Sequence, residues 1–247
     1  MIKFNGVNKS FGGLKAIKNL SFEAKPNQIT AIIGPNGAGK TTVFNLLTGV
    51  LKTDTGSINF YNKEISKQKT FNIAKLGITR TFQNLQIFSN MTVLENIMVG
   101  MHLECRSNIF QSLFLIDSYE EKRVRKKSSE LLEILNLEKY AHTNCSDLPF
   151  GIQRQIEIIR GIASKPKLIL LDEPAAGLNP TETEELGDKI KKILSLGISI
   201  ILIEHDMNLV MRISDNIIVL NFGEKIAEGT PEQIQKNPEV IKAYLGE

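Results

Sequence analysis

Residues 34 to 42 read Gly-Pro-Asn-Gly-Ala-Gly-Lys-Thr-Thr. The spacing G-x-x-x-x-G-K-[ST] lets consecutive backbone N–H groups surround the phosphates of a nucleotide. Lys40 brings a point charge to the β- and γ-phosphates, and the Thr41 hydroxyl can ligate Mg2+. The flanks agree. Ile29 to Ile33 is a short β-branched run that predicts a buried strand. Lys40 to Leu47 reads as the start of a helix, which sets phosphates at a helix N-terminus.

A second set of residues has the chemistry to act on what this loop holds. Leu168 to Leu171 is an apolar strand ending in Asp172 and Glu173. An aspartate at such a strand end can hold Mg2+. Adjacent side chains of an extended chain point opposite ways, so Asp172 is expected to face the metal and Glu173 the attacking water. A carboxylate on that water is a general base or orienting group. His205 ends the next apolar run, where ligands bind in a parallel sheet, within reach of a γ-phosphate. Gln83, in Arg80-Thr81-Phe82-Gln83, has no role that chemistry alone assigns.

The elements around these residues form an α/β chain. Residues 1 to 28 predict short strands about a turn at Gly12-Gly13, and Ile58 to Tyr61 another, so an antiparallel β region lies beside the nucleotide-binding core. From 89 to 155 helical spacing takes over, with helices predicted over Thr92 to Gly100 and Glu120 to Leu135. We expect a helical subdomain over 89–155 inserted into a core made of 1–88 and 156–247. Apolar runs return at Leu168 to Leu171, Ser199 to Ile203 and Asn216 to Leu220, with helices between, a pattern for parallel strands. The basic cluster at Lys122, Arg123, Arg125, Lys126 and Lys127 reads as a solvated helix face.

Composition narrows the classes. A 247-residue chain with 42% hydrophobic and 23% charged residues suits one large soluble domain, or a core with a sub-lobe. A net charge of +3 is too small to argue for nucleic acid. No apolar stretch reaches the ~18 residues of a membrane span. The first residues lack a signal peptide's apolar core. Cys105 and Cys145 have no metal spacing and read as free thiols. The expected location is the cytoplasm, with any membrane role exercised through a partner.

Together these residues resemble the ATP-binding subunit of ABC transporters, over essentially the whole chain. The resemblance implies a phosphate-loop NTPase core of the ABC ATPase type, with an antiparallel β region and the inserted helical subdomain. It places the nucleotide at Gly34, Pro35, Asn36, Gly37, Ala38, Gly39, Lys40, Thr41 and Thr42. Phe11 falls where an aromatic ring stacks on adenine, which a Phe can do as well as a Tyr. Gln83 matches a glutamine that touches Mg2+ and the membrane partner, Asp172 the metal acid, Glu173 the catalytic glutamate and His205 the switch histidine. Implied ligands are ATP and Mg2+. Implied partners are membrane permease subunits, a second ATPase subunit of the same or a related chain, and indirectly a solute-binding protein, on the cytoplasmic face of the membrane. A groove for a permease helix is implied near Leu85, Ile87 and Phe88.

Arg80 to Gln83, Asp172 to Pro180, Ile203 to Met207, and the endings Gly229 to Glu232 and Tyr244-Leu245-Gly246-Glu247 are similar to the LivG-type ATPase of branched-chain amino-acid importers. Similar endings occur in ATPases for urea or lipopolysaccharide. A nucleotide-binding structural subunit with weak hydrolysis is one alternative; an altered signature loop at Pro149 favours it slightly, and the intact Lys40, Asp172, Glu173 and His205 argue against it. Ribosome- or DNA-acting relatives carry two cassettes or long coiled coils, and this chain has neither.

One departure stands out. The family's Leu-Ser-x-Gly-Gln signature reads Leu148-Pro149-Phe150-Gly151-Ile152-Gln153. In the family the serine hydroxyl reaches a γ-phosphate on the opposite subunit, and Pro149 has no hydroxyl to give. Pro149, Phe150, Gly151 and Gln153 are still the residues expected to act across a dimer, through the Gly151 N–H. Pro149 is expected in the first helical turn. Asn179 is expected to cap a helix, with Pro180 first in it and Glu182 reaching back.

Overall fold

The computed structural model describes residues 1–101 and 118–245. Cys105 and the terminal Gly246-Glu247 lie outside the described residues. The chain opens with β1 (Ile2–Phe11) and β2 (Leu14–Ala24), a hairpin through Gly12-Gly13, followed by β3 (Ile29–Ile33) and helix α1 (Lys40–Leu47). Next come β4 (Thr55–Phe60), β5 (Lys63–Glu64), α2 (Thr70–Lys75) and β6 (Ile78–Arg80). Helices α3 (Val93–Gly100), α4 (Ser118–Ile134) and α5 (Phe150–Ile162) follow. The chain then alternates through β7 (Leu168–Asp172), α6 (Pro180–Ser195), β8 (Ser199–Ile203), α7 (Met207–Ile213) and β9 (Asn216–Asn221). It closes with β10 (Glu224–Gly229), α8 (Pro231–Gln235) and α9 (Pro238–Leu245).

Two sheets result, in the orders β2-β1-β4-β5 and β10-β9-β3-β8-β7-β6. The first is antiparallel, and β4 stops one residue short of the expected Tyr61, which turns away at φ 51°. In the second, β9, β3, β8 and β7 run parallel, as the sequence predicts, and β6, a strand the sequence reading did not name, extends them in parallel. The antiparallel edge strand β10 was not anticipated.

Every residue of β3, β7 and β8 is buried. Continuous apolar runs of this kind mark a sheet covered on both faces. Period-two alternation sorts them. Ile169, Leu171, Ile200 and Leu202 join one cluster; Leu168, Leu170, Ile201 and Ile203 join the other, with α1 and the antiparallel sheet.

Among the described residues, the helices between 93 and 162 share their core with the sheet. Val93, Ile97, Leu132, Ile156 and Ile159 pack in the same cluster as Ile169 and Leu171 of the sheet. The boundary expected at 155/156 falls inside α5, whose buried stripe requires one unbroken helix. Of the basic cluster, Lys122, Arg125 and Lys126 are exposed, while Arg123 and Lys127 are half-buried. No described helix is long and apolar enough to cross a membrane.

Candidate functional site

The phosphate loop folds as it does because two positions admit only glycine. Gly34 has φ 150°, and a Cβ there would lie 2.1 Å from the Leu220 carbonyl oxygen. Gly39 caps α1 at φ 103°, and a Cβ would come within 2.8 Å of the Ala16 carbonyl oxygen. The first turn of α1 has no acidic side chain and no side-chain cap, so nothing on the helix itself offsets the positive end of its dipole.

Lys40 is buried, and its ammonium donates to the carbonyls of Gly34 (2.7 Å) and Pro35 (3.1 Å). An ammonium has three donors, so one remains for a phosphate oxygen. Burial pushes the Lys40 pKa below its ordinary value, and the charges of Glu173 and Asp172 partly offset that. A cavity of about 640 Å³ opens here, lined by residues 36–42 of the loop together with Phe11, Glu173 and His205. Gly34 and Pro35 stand behind it as the acceptors for Lys40.

The acids at the end of β7 differ from expectation in how they diverge. Glu173 is not extended; it has φ 50°, a left-handed turn that aims its carboxylate back into the cavity. Both of its oxygens are engaged. Gln83 Nε2 donates to Oε2 at 3.0 Å, and His205 Nε2 lies 2.7 Å from Oε1. A carboxylate only accepts, so His205 carries its proton on Nε2 in this pairing. Gln83, Glu173 and His205 come from the ends of three adjacent strands, β6, β7 and β8, which is how residues 90 and 32 positions apart in sequence meet.

Asp172 is tied down by a residue whose role sequence reasoning missed. Arg80 donates through Nη2 to Asp172 Oδ2 at 2.6 Å and through Nη1 to Asn45 Oδ1 of α1 at 2.7 Å. Its guanidinium lies between the rings of Phe44 and Phe82, 5.4 and 5.1 Å from their centroids. Glu204 was missed as well. Its buried carboxylate accepts from the backbone N–H groups of Ala175 (2.7 Å), His205 (2.9 Å) and Asp206 (3.3 Å). It thereby joins the loop after Glu173 to the turn that holds His205. Burial raises its pKa, against the pull of those three donors. A charged residue ending the apolar run of β8 was the available signal.

Pro149 to Gln153 do not line this cavity. Pro149 is the N-cap of α5, one position earlier than expected, because the residue after it already begins the helix. Its carbonyl accepts from Ile152 and Gln153, and Gln153 Nε2 closes the turn on the Leu148 carbonyl at 2.8 Å. The N–H groups of Phe150 and Gly151 precede the first bonded turn. Gly151 lies against α6, where a Cβ would come within 2.9 Å of Glu182 Oε1. That glutamate is the reciprocal partner in the cap of α6. Asn179 accepts from the Glu182 N–H, and Glu182 accepts from the Asn179 N–H, each at 3.0 Å, with Pro180 first in the helix as expected.

One face of α5 also holds the segment after Gln83. Arg154 donates to the carbonyls of Phe82 (2.9 Å) and Gln83 (2.6 Å) and pairs with Glu157 (2.7 Å). Glu157 accepts from the Gln86 N–H, and Arg160 donates to the Gln86 carbonyl. The spacing of these three side chains along α5 was the sequence signal. Beyond this clamp a groove of about 660 Å³ is bordered by Phe71, Phe82, Phe88 and Val99. Of the residues expected there, Phe88 is 43% exposed, whereas Ile87 packs on the core.

Comparison with known proteins agrees with these features. The family described as "ABC transporter" matches residues 17–176, and the family described as "Branched-chain amino acid ATP-binding cassette transporter" matches 224–247. The high-affinity branched-chain amino acid transport ATP-binding protein BraF of Pseudomonas aeruginosa is 43% identical, over all of this chain and 98% of its own length. LivG of Escherichia coli, described in the same words, is 44% identical with the same coverage. Among solved structures, the ADP conformation of MJ1267, an ATP-binding cassette of an ABC transporter, superposes with a TM-score of 0.87 at 33% identity, over 100% of this chain and 99% of that one.

Proposed function

The chain belongs to the ABC transporter family of ATP-binding subunits, and from that membership we propose how its residues hydrolyse ATP and to what end. It is the ATPase of an importer, and its substrate class is branched-chain amino acids. The observation that carries the substrate class is likeness over the full length, down to the C-terminal segment 224–247.

In the proposed mechanism the phosphate loop holds the triphosphate through its N–H groups and Lys40, while Phe11 stacks on the base. The residues fit a magnesium ion. Among the described residues no three His, Cys, Asp or Glu side chains group to hold a metal alone. The donor set is Thr41, Gln83 and Asp172, to which nucleotide oxygens would be added, the usual magnesium arrangement. When bound, the ion neutralises charge on the phosphates. Glu173 orients and deprotonates the attacking water, and the oxygens that now accept from Gln83 and His205 set its direction. His205 then has an N–H to offer the γ-phosphate.

Pro149 to Gln153 are assigned to a nucleotide on a second ATPase subunit, since they stand outside the cavity of their own chain. The groove at Phe71 and Phe88 takes the permease, which places the subunit on the cytoplasmic face of the membrane. A solute-binding protein supplies the amino acid to that permease. Co-purification with the permease and reconstitution in vesicles tests the reading. ATP-dependent uptake of leucine, isoleucine or valine is expected. Turnover stimulated by urea or a lipid, with none of the three amino acids carried, would sink the substrate assignment.

A further inference from the structure

The turn between β9 and β10 consists of Phe222 and Gly223, with φ of 44° and 83°. Two positive φ values in a two-residue hairpin define the turn type that prefers Asn-Gly or Asp-Gly. Gly223 obeys the preference and Phe222 does not. For a bulky side chain the left-handed region is a genuine outlier that costs free energy. The ring gains nothing inside the fold in return. It is 76% exposed, and among the described residues no aromatic or cationic group packs on it. Tyr61 is the instructive contrast: its φ is 51°, but its ring meets Phe60 at 5.0 Å and the Lys167 ammonium at 5.6 Å. A residue that breaks the turn rule and the burial rule together points to a function outside the fold.

Its location supplies that function. The Gly223 N–H donates to the Ala38 carbonyl of the phosphate loop at 3.1 Å, and the Lys18 N–H donates to the Gly223 carbonyl at 2.8 Å. The turn is therefore fixed to both the phosphate loop and β2. The Phe222 ring lines the same cavity as Phe11, which is 45% exposed on the β1–β2 hairpin.

We propose that Phe222 is a second base-contacting residue, forming with Phe11 the aromatic walls of the site for the nucleotide's adenine ring. The proposal rests on the reading of residues 34–42 as a nucleotide site. Aromatic surface recognises the π-face of a base and contributes nothing to phosphate binding. The backbone strain at Phe222 is then the cost of presenting a ring where the turn would otherwise place a small polar side chain.

The test is calorimetric titration of the full-length protein with ATP and, separately, with inorganic tripolyphosphate. Phe222→Ala and Phe222→Asn should weaken ATP binding by about tenfold, in the range expected for losing one base–aromatic stack. Both should bind tripolyphosphate as the wild type does, and Phe222→Tyr should retain ATP affinity. Phe222→Asn should in addition melt at a higher temperature, because asparagine suits the turn. Unchanged ATP affinity in the Ala and Asn variants would overturn the proposal. So would equal weakening toward ATP and tripolyphosphate, which would mean that the turn only props the phosphate loop. If the wild type binds neither ligand, or Lys40→Ala binds ATP as well as the wild type, the underlying nucleotide-site reading fails instead.

Discussion

Glu173 is positioned by what its two oxygens accept, and this makes its replacement informative. Glu173→Gln keeps the shape but removes the proposed base, so ATP should still bind while hydrolysis falls by about 10²–10⁴-fold. Single-turnover hydrolysis measures this, and ordinary turnover would remove Glu173 from the mechanism. Pro149 offers a gain instead. A serine at an N-cap satisfies a helix N–H that proline leaves open, for about 0.5–2 kcal/mol. Lost stiffening of the unfolded chain offsets about 0.4–1 kcal/mol of that. Pro149→Ser should therefore shift stability in urea by between about −0.5 and +1.6 kcal/mol, and should dimerise more tightly with ATP by supplying the hydroxyl. Glu204 makes stability depend on pH. Its pKa is raised in the folded state from an ordinary 4.5, so the folded protein holds that proton more tightly than the unfolded chain does. Its contribution to stability is greatest below the ordinary value and is lost as pH rises through the raised one. Urea midpoints measured upward from pH 4.5 should show this fall in the wild type and a flatter profile in Glu204→Gln.

Among elements, α5 makes the sharpest claim. Arg154 and Glu157 are almost wholly buried, at 1% and 3% side-chain exposure. Removing one partner of a buried pair costs about 3–5 kcal/mol, because the other is left uncompensated. Arg154→Met should cost about that in urea denaturation and should loosen Gln83, whose carbonyl it holds. A loss under 1 kcal/mol would show that solvent already reaches the pair. The same helix marks the limit of what a sequence discloses. Its apolar stripe at Ile156 and Ile159 and the cap at Asn179 were legible, since both are local patterns. The carbonyls that Arg154 holds lie 71 and 72 residues away, and the partners of Arg80 lie 35 and 92 away. Only the strand order brings them together, and no local period encodes it. The phosphate loop and the Asp172-Glu173 pair were legible for the opposite reason: each is contiguous. Gln83 was legible only through resemblance. The left-handed turn at Glu173 was not, because nothing in the residue type announces a positive φ.

At the scale of the whole molecule, the nucleotide cavity and the groove at Phe88 are joined through Gln83 and the segment that α5 clamps. Phe88→Ala should fold and bind ATP normally, since the ring is exposed and, among the described residues, Arg160 is the one cation over it, at 5.3 Å. In the assembled transporter it should lower the amino acid imported per ATP hydrolysed. An unchanged ratio would place the permease contact elsewhere. The seating of Gly151 against Glu182 has a consequence best put in genetic terms. A side chain at 151 presses on the flexible end of the Glu182 side chain that caps α6, so an allele there is expected to carry two effects, one at the proposed composite nucleotide site and a smaller one in the cap. A second mutation shortening residue 182 relieves the crowding but leaves the Asn179 N–H without its acceptor. Suppressors of such an allele should therefore not map to 182, and transporter-dependent growth recovered there would remove Gly151 from the proposed composite site.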